Sequence, residues 1–138
     1  MAIPTEIANQ VLEYSSKYRG PALGALEFSR LYELEPDGTG DFYGWPKDVW
    51  PHNGKPGVYL LLGKAMDLRY VGSARDVGKR LAAHFQYRED RGCRIVGNWI
   101  RRPYFILAVR VTEPFEALSL EQYLISTLSP AENKRGAP

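Results

Sequence analysis

Apolar residues recur at helical spacing at Ile3, Ile7, Val11, Tyr14 and Tyr18, which predicts an amphipathic helix over residues 5–18. Gly20-Pro21 stops it. From Leu23 to Leu34 the pattern suits either a short helix or a strand. Residues 36–56 read as a long loop, with Pro36-Asp-Gly-Thr-Gly40 and three further prolines. Loops of that length are unusual inside a compact domain and are often functional. Its aromatics, Phe42, Tyr43, Trp45 and Trp50, either pack beneath the loop as a satellite core or offer faces on which bases could stack. Packing is the commoner fate of such residues.

The signals sharpen from Gly57. Val58–Leu62 and Leu68–Val71 are strand-like and are joined by a turn near Gly63–Asp67, the pattern of a β-hairpin. Residues 76–87 read as a helix with Val77, Leu81 and Phe85 as its apolar stripe, and a shorter helix is expected over 91–101. Tyr104–Val111 is a strand rich in aromatic and β-branched residues. Phe115–Leu128 is a helix stopped by Pro130. The order β-β-α-α-β-α predicts an α+β domain whose small, mainly antiparallel three-stranded sheet is flanked by helices. Residues 1–56 would be a helical and loop extension of the same domain, ahead of a core at 57–138.

Composition narrows the class. A chain of 138 residues suits one domain. No signal-peptide pattern opens it, and no apolar run approaches the about 20 residues that a membrane helix needs. The single cysteine, Cys93, rules out an internal disulfide, suits a reducing cytoplasm and is expected in the core. With two histidines and one cysteine, a structural zinc site is implausible. The net charge of +2 conceals an uneven distribution: residues 1–50 carry −4, residues 51–112 carry +8, and residues 113–138 carry −2. The basic middle could draw a polyanion through counterion release, or it could be a solvated arginine-rich face.

One carboxylate stands out. On the last long helix, Ala117, Leu120, Leu124, Ile125 and Leu128 form the apolar stripe, and at about 100° per residue Glu121 falls near its middle. A carboxylate there needs a cation or several hydrogen bonds, supplied by an arginine or by a metal ion. Mg²⁺ suits a lone carboxylate, because it keeps several waters and takes further ligands from phosphate oxygens. Arg80 and His84, four apart, share one helix face. Tyr59 and Tyr70 stand on neighbouring strands, where tyrosines are usually packing residues. The flanking Gly57 and Gly72 allow another group to approach the backbone closely.

Together, Gly57-Val58-Tyr59, then Tyr70-Val71-Gly72 after ten intervening residues, the stretch from Tyr70 to His84, Glu121, and Asn133 twelve positions later resemble the GIY-YIG nuclease superfamily. The resemblance covers roughly residues 57–134. The core stretch is most like the homing endonucleases of that superfamily and the nuclease domain of the excinuclease incision subunit. Valine replaces isoleucine in both tyrosine motifs, a conservative change. The resemblance implies that Glu121 holds Mg²⁺ or Mn²⁺ and that Arg80 grips the scissile phosphate. It makes Tyr59 the candidate general base and gives Tyr70 the task of orienting phosphate or water. His84 would assist at the phosphate or in proton transfer, and Asn133 would support the wall of the site. A phenol with a free pKa of about 10 needs cations nearby to serve as base.

The expected function is metal-dependent hydrolysis of DNA by activated water, leaving 5′-phosphate and 3′-hydroxyl ends. Lys79, Arg88, Arg91, Arg94, Arg101 and Arg102 are the candidate backbone contacts, with Lys64 a further cation near the site. Two other readings stand beside it: a non-catalytic nucleic-acid-binding module, and a nuclease acting on single-stranded DNA or RNA. A homodimer or a protein partner is the expected source of specificity, and no membrane is involved.

Overall fold

The computed structural model describes residues 3–34, 36, 42–44, 49–88 and 92–134. The chain begins with helix α1 (Thr5–Tyr18) and three two-residue strands, β1 (Glu27–Phe28), β2 (Tyr32–Glu33) and β3 (Phe42–Tyr43). The hairpin β4 (Gly57–Leu62) and β5 (Leu68–Ala74) leads into helix α2 (Val77–His84). Strands β6 (Phe85–Arg88), β7 (Gly92–Ile95) and β8 (Phe105–Arg110) follow, then α3 (Pro114–Leu128) and the single turn α4 (Ala131–Lys134).

The predicted three-stranded sheet is present as β8-β4-β5, all antiparallel. The extension enlarges it, because β1 and β2 both pair with the far edge of β8. Every residue of β4 is buried. Val58, Leu60 and Leu62 belong to a core shared with α1 and α3, while Tyr59 and Leu61 belong to a second core under α2 and the smaller sheet β3-β7-β6. A strand covered on both faces reads as a continuous apolar run, as Val58–Leu62 does. Gly57 lies so close to β8 that a Cβ there would strike the Val109 carbonyl.

Two expectations need correction. Among the described residues, no helix lies within 91–101: residues 92–95 form β7, and residues 96–101 are irregular. Cys93 and Ile95 turn inward while Arg94 turns out, a period of two, and Gly92 and Gly97 at φ 86° and 112° bracket the run. The preceding helix also ends at His84, not 87, because Phe85 leaves it to pack against Tyr43 and Trp50. From Gly57 the element order is therefore β-β-α-β-β-β-α-α rather than β-β-α-α-β-α. The α+β class stands.

The segment Leu23–Leu34 resolves into strands rather than a helix. In the long loop, Tyr43 is buried and Trp50 stacks on Tyr32 and Phe85 with ring centroids 5.4 Å from each. These two pack, as expected. Phe42 is half-buried, with the Arg94 guanidinium 5.9 Å above its ring. Trp45 lies outside the described residues.

Candidate active site

Helix α2 is positioned by its first turn. Asp76 caps it, accepting from the Lys79 N–H at 3.0 Å, and also accepts from the Gly54 N–H at 2.8 Å. These hydrogen bonds hold its carboxyl below the usual range and tie the preceding loop to the helix. Gly78 lets the same loop approach the helix closely, since a Cβ there would collide with Asn53. From this anchored start, Arg80 and His84 project one helical turn apart into one shallow cleft with Ala83 and Val96.

Tyr59, buried on β4, meets Arg80 and His84 from beneath that cleft. Its partner across the ladder is Gly72, and the Tyr59 phenol lies over it, in the space a Cβ would fill. That contact explains the glycine of the second tyrosine motif. The Tyr59 hydroxyl is 2.8 Å from His84 Nε2, and the Arg80 guanidinium is within hydrogen-bonding reach of it. Tyr70 packs beside them, with its ring centroid 6.2 Å from Tyr59 and 5.9 Å from His84.

The electrostatics differ from expectation. Burial, then the neighbouring Tyr70, pushes the Tyr59 phenol well above its usual pKa despite the Arg80 cation. Burial also raises Tyr70, with the Glu121 charge adding to it. His84 moves the other way: burial and Arg80 lower it to about 4, so the imidazole is neutral at physiological pH. Arg80 is held more firmly cationic, chiefly by Tyr59. The cluster therefore contains a neutral phenol, a neutral imidazole and a fixed cation.

Glu121 comes to this group from α3. It is half-buried on the flank of the helix, and its charge is felt by Tyr59, Tyr70 and Arg80. The expectation that it sits mid-stripe is corrected. The buried face is Glu116, Ala117, Leu120 and Leu124, rotated toward α1, which covers that side. Glu116 is the carboxylate the pattern misses. It is buried and paired with Arg19, and it accepts from the Tyr14 hydroxyl.

Asn133 clips the outer edge of β5: its Oδ1 accepts from the Val71 N–H at 2.8 Å and its Nδ2 donates to the Val71 carbonyl at 3.0 Å. It completes a strand ladder beside Tyr70 and Gly72. Trp99 is a further member of the cluster that the sequence pattern does not single out. Its ring lies 5.6 Å from Tyr70 and 6.5 Å from His84, closing one side of the cluster. Its position two residues before Arg101 is the one signal the sequence offers. Of the candidate backbone contacts, Lys79, Arg94 and Arg101 are exposed and Arg102 is half-buried. Arg91 and the Arg88 side chain lie outside the described residues.

The family model for the UvrC-like GIY-YIG domain matches residues 55–134, which include every one of these cluster residues. The chain belongs to the GIY-YIG nuclease superfamily. This GIY-YIG domain is 35% identical over 78 residues to UvrABC system protein C of Desulfatibacillum aliphaticivorans, covering 56% of the chain but 13% of that protein. It is 40% identical over 80 residues to the protein of the same name from Anaplasma marginale, covering 56% of the chain and 12% of that protein. The Rhizobium meliloti protein gives 37% over 79 residues, covering 56% and 11% respectively. The chain thus spans only about an eighth of the length of the curated relatives it matches.

The donor set bears on which metal the GIY-YIG site could take. Among the described residues no group of three or more His, Cys, Asp and Glu could enclose an ion. Glu121 alone, half-buried, fits a hard cation that keeps water and substrate oxygens as its other ligands. It does not fit zinc. Among the described residues, no helix is long and apolar enough to cross a membrane.

Proposed function

We propose that this GIY-YIG domain is a metal-dependent endonuclease that hydrolyses DNA phosphodiester bonds and leaves 5′-phosphate and 3′-hydroxyl ends. The observation that carries the reading is the 2.8 Å hydrogen bond between Tyr59 and His84, beside Arg80 and within the field of Glu121. A purely structural tyrosine has no need of a buried neutral imidazole at its hydroxyl with an arginine and a carboxylate charge nearby.

A phenolate at Tyr59 would not accumulate, because burial raises its pKa. The proton path we assign is a relay. With His84 protonated on Nδ1, the Tyr59 O–H donates to Nε2. As water attacks phosphorus, its proton passes to the Tyr59 oxygen while the Tyr59 proton passes to His84. On its own His84 is a weak base, because burial and Arg80 lower its pKa. A bound phosphodiester brings negative charge beside it and raises its proton affinity. Arg80 binds the non-bridging oxygens and stabilises charge growing on them. Tyr70 orients the phosphate. Glu121 is the residue that would hold Mg²⁺ or Mn²⁺, which when bound supplies Lewis-acid stabilisation of the leaving 3′ oxygen.

Residues 1–56 act, in this proposal, as an extension of the same domain, because β1 and β2 join its sheet and α1 packs on α3. Selectivity for target sequence or structure is assigned to a second copy or a partner protein. The deciding experiment is cleavage of plasmid, linear duplex, single-stranded DNA and RNA with Mg²⁺ or Mn²⁺, beside Arg80→Ala and Glu121→Ala. Metal-dependent cutting lost in both variants supports the mechanism, and cutting retained by both overturns it.

A further inference from the structure

Trp99, whose ring contacts Tyr70 and His84, also lines a second concavity of about 490 Å³, between the β4–β5 turn and residues 99–104. Its walls include Lys64, Arg69, Arg101, Arg102, Asp67 and Trp99. The volume falls in the range typical of ligand-binding clefts, roughly 300–1,000 Å³. It is strongly cationic. Asp67 accepts from Arg69 at 3.2 Å, and the buried Glu132 behind the wall accepts from Arg69 at 2.9 Å. Four cations against two carboxylates leave two positive charges in excess.

Its bracing marks this cleft as built rather than incidental. Glu132 is fully buried and also accepts from the backbone N–H groups of Ile100 and Arg101 at 3.3 and 3.4 Å, so one side chain fixes both walls.

We propose that this cleft is a phosphate subsite for the substrate strand. It receives a phosphodiester flanking the scissile one, after the strand has crossed Trp99 from the Tyr59–Arg80 cluster. Trp99 is the shared wall, its orientation fixed by the hydrogen bond from Nε1 to the Val96 carbonyl at 3.0 Å. Lys64 and Arg101, both exposed, close on the phosphate from opposite lips, and Arg102 adds a third cation to the wall. The inference rests on the nuclease reading for the identity of the strand, but it concerns binding and is tested without turnover.

The test is fluorescence anisotropy of a labelled oligonucleotide with Glu121→Gln protein, titrated over a range of salt. Lys64→Ala/Arg101→Ala in that background changes exposed residues only and leaves the buried Arg69–Glu132 pair intact. The expected result is affinity lower by roughly tenfold, with the slope of log K against log salt reduced by about 2, one for each cation removed from the phosphates. Lys17→Ala/Lys55→Ala removes the same charge elsewhere and should leave most of the affinity in place. Equal losses in the two double variants, or no loss at Lys64 and Arg101, would overturn the subsite. Failure of the Glu121→Gln protein to bind any oligonucleotide would overturn the nuclease reading with it. Excess inorganic phosphate at constant ionic strength should displace the oligonucleotide only weakly. Displacement by sub-millimolar phosphate would make this a free-phosphate site and sink the strand assignment.

Discussion

Glu116 and Glu121 stand five residues apart on one helix and meet opposite fates. Glu116 lies on the flank that α1 covers, buried, ion-paired to Arg19 and bonded to the Tyr14 hydroxyl. Glu121 lies on the flank left open toward the tyrosine cluster, half-buried and felt electrostatically by Tyr59, Tyr70 and Arg80. The same side chain is a structural bolt in one place and a candidate ligand in the other. What separates them is which neighbours surround each carboxylate. A buried carboxylate with its own arginine is satisfied, whereas a half-buried one beside the tyrosine cluster can still take a cation.

The comparison is sharpened by substitution. Arg80→Ala and Glu121→Ala should each reduce DNA cleavage by roughly 10³-fold while the thermal midpoint stays near wild type. Plasmid nicking and a melting curve on the same preparation check both halves. Glu116→Ala should do the reverse: it strands Arg19, costs about 3–5 kcal/mol, and lowers Tm by roughly 10–20 °C, with cleavage per folded molecule preserved at low temperature.

His84 sits between the two cases, because it is buried like Glu116 yet bonded to the proposed catalytic tyrosine. Its folded pKa of about 4 lies below the ordinary histidine value of 6.5, so between those values the unfolded chain binds more protons than the native state. The stability it contributes is therefore present above pH 6.5 and lost as pH falls toward 4, on the order of 3 kcal/mol. His84→Gln should flatten that stretch of the stability–pH curve, measured by urea unfolding. It should also slow cleavage by roughly 10²-fold. The smallest effect expected is at Asn133, where alanine removes the clip on β5 and costs about 1 kcal/mol, visible as faster amide exchange at Val71.

How legible these features are in the sequence tracks how local they are. The helix over residues 5–18 has the predicted bounds because its apolar spacing is sustained and Gly20-Pro21 ends it. The β4–β5 hairpin and the last long helix are equally plain. The helix expected over 91–101 gives way to β7 because that strand pairs with β3, some fifty residues earlier, and no local pattern reports that partner. The pattern singles out Glu121 as a carboxylate at an apolar stripe, but it centres the stripe too far toward that residue. Only the packing of α1 shows that Glu116 is the buried one. Arg69 and Glu132 are 63 residues apart, so their pairing, and the cleft it supports, cannot be read from either neighbourhood.

The most direct test of the contrast along α3 is a single cleavage series with Mg²⁺ or Mn²⁺, in which wild type, Glu121→Ala and Glu116→Ala are assayed on duplex and single-stranded DNA at a temperature where all three remain folded. Metal-dependent cutting by wild type and Glu116→Ala, with none by Glu121→Ala, is the expected result. Cutting by Glu121→Ala at the wild-type rate, or none by folded wild type on any substrate, would contradict the assignment of the open flank as a catalytic metal site.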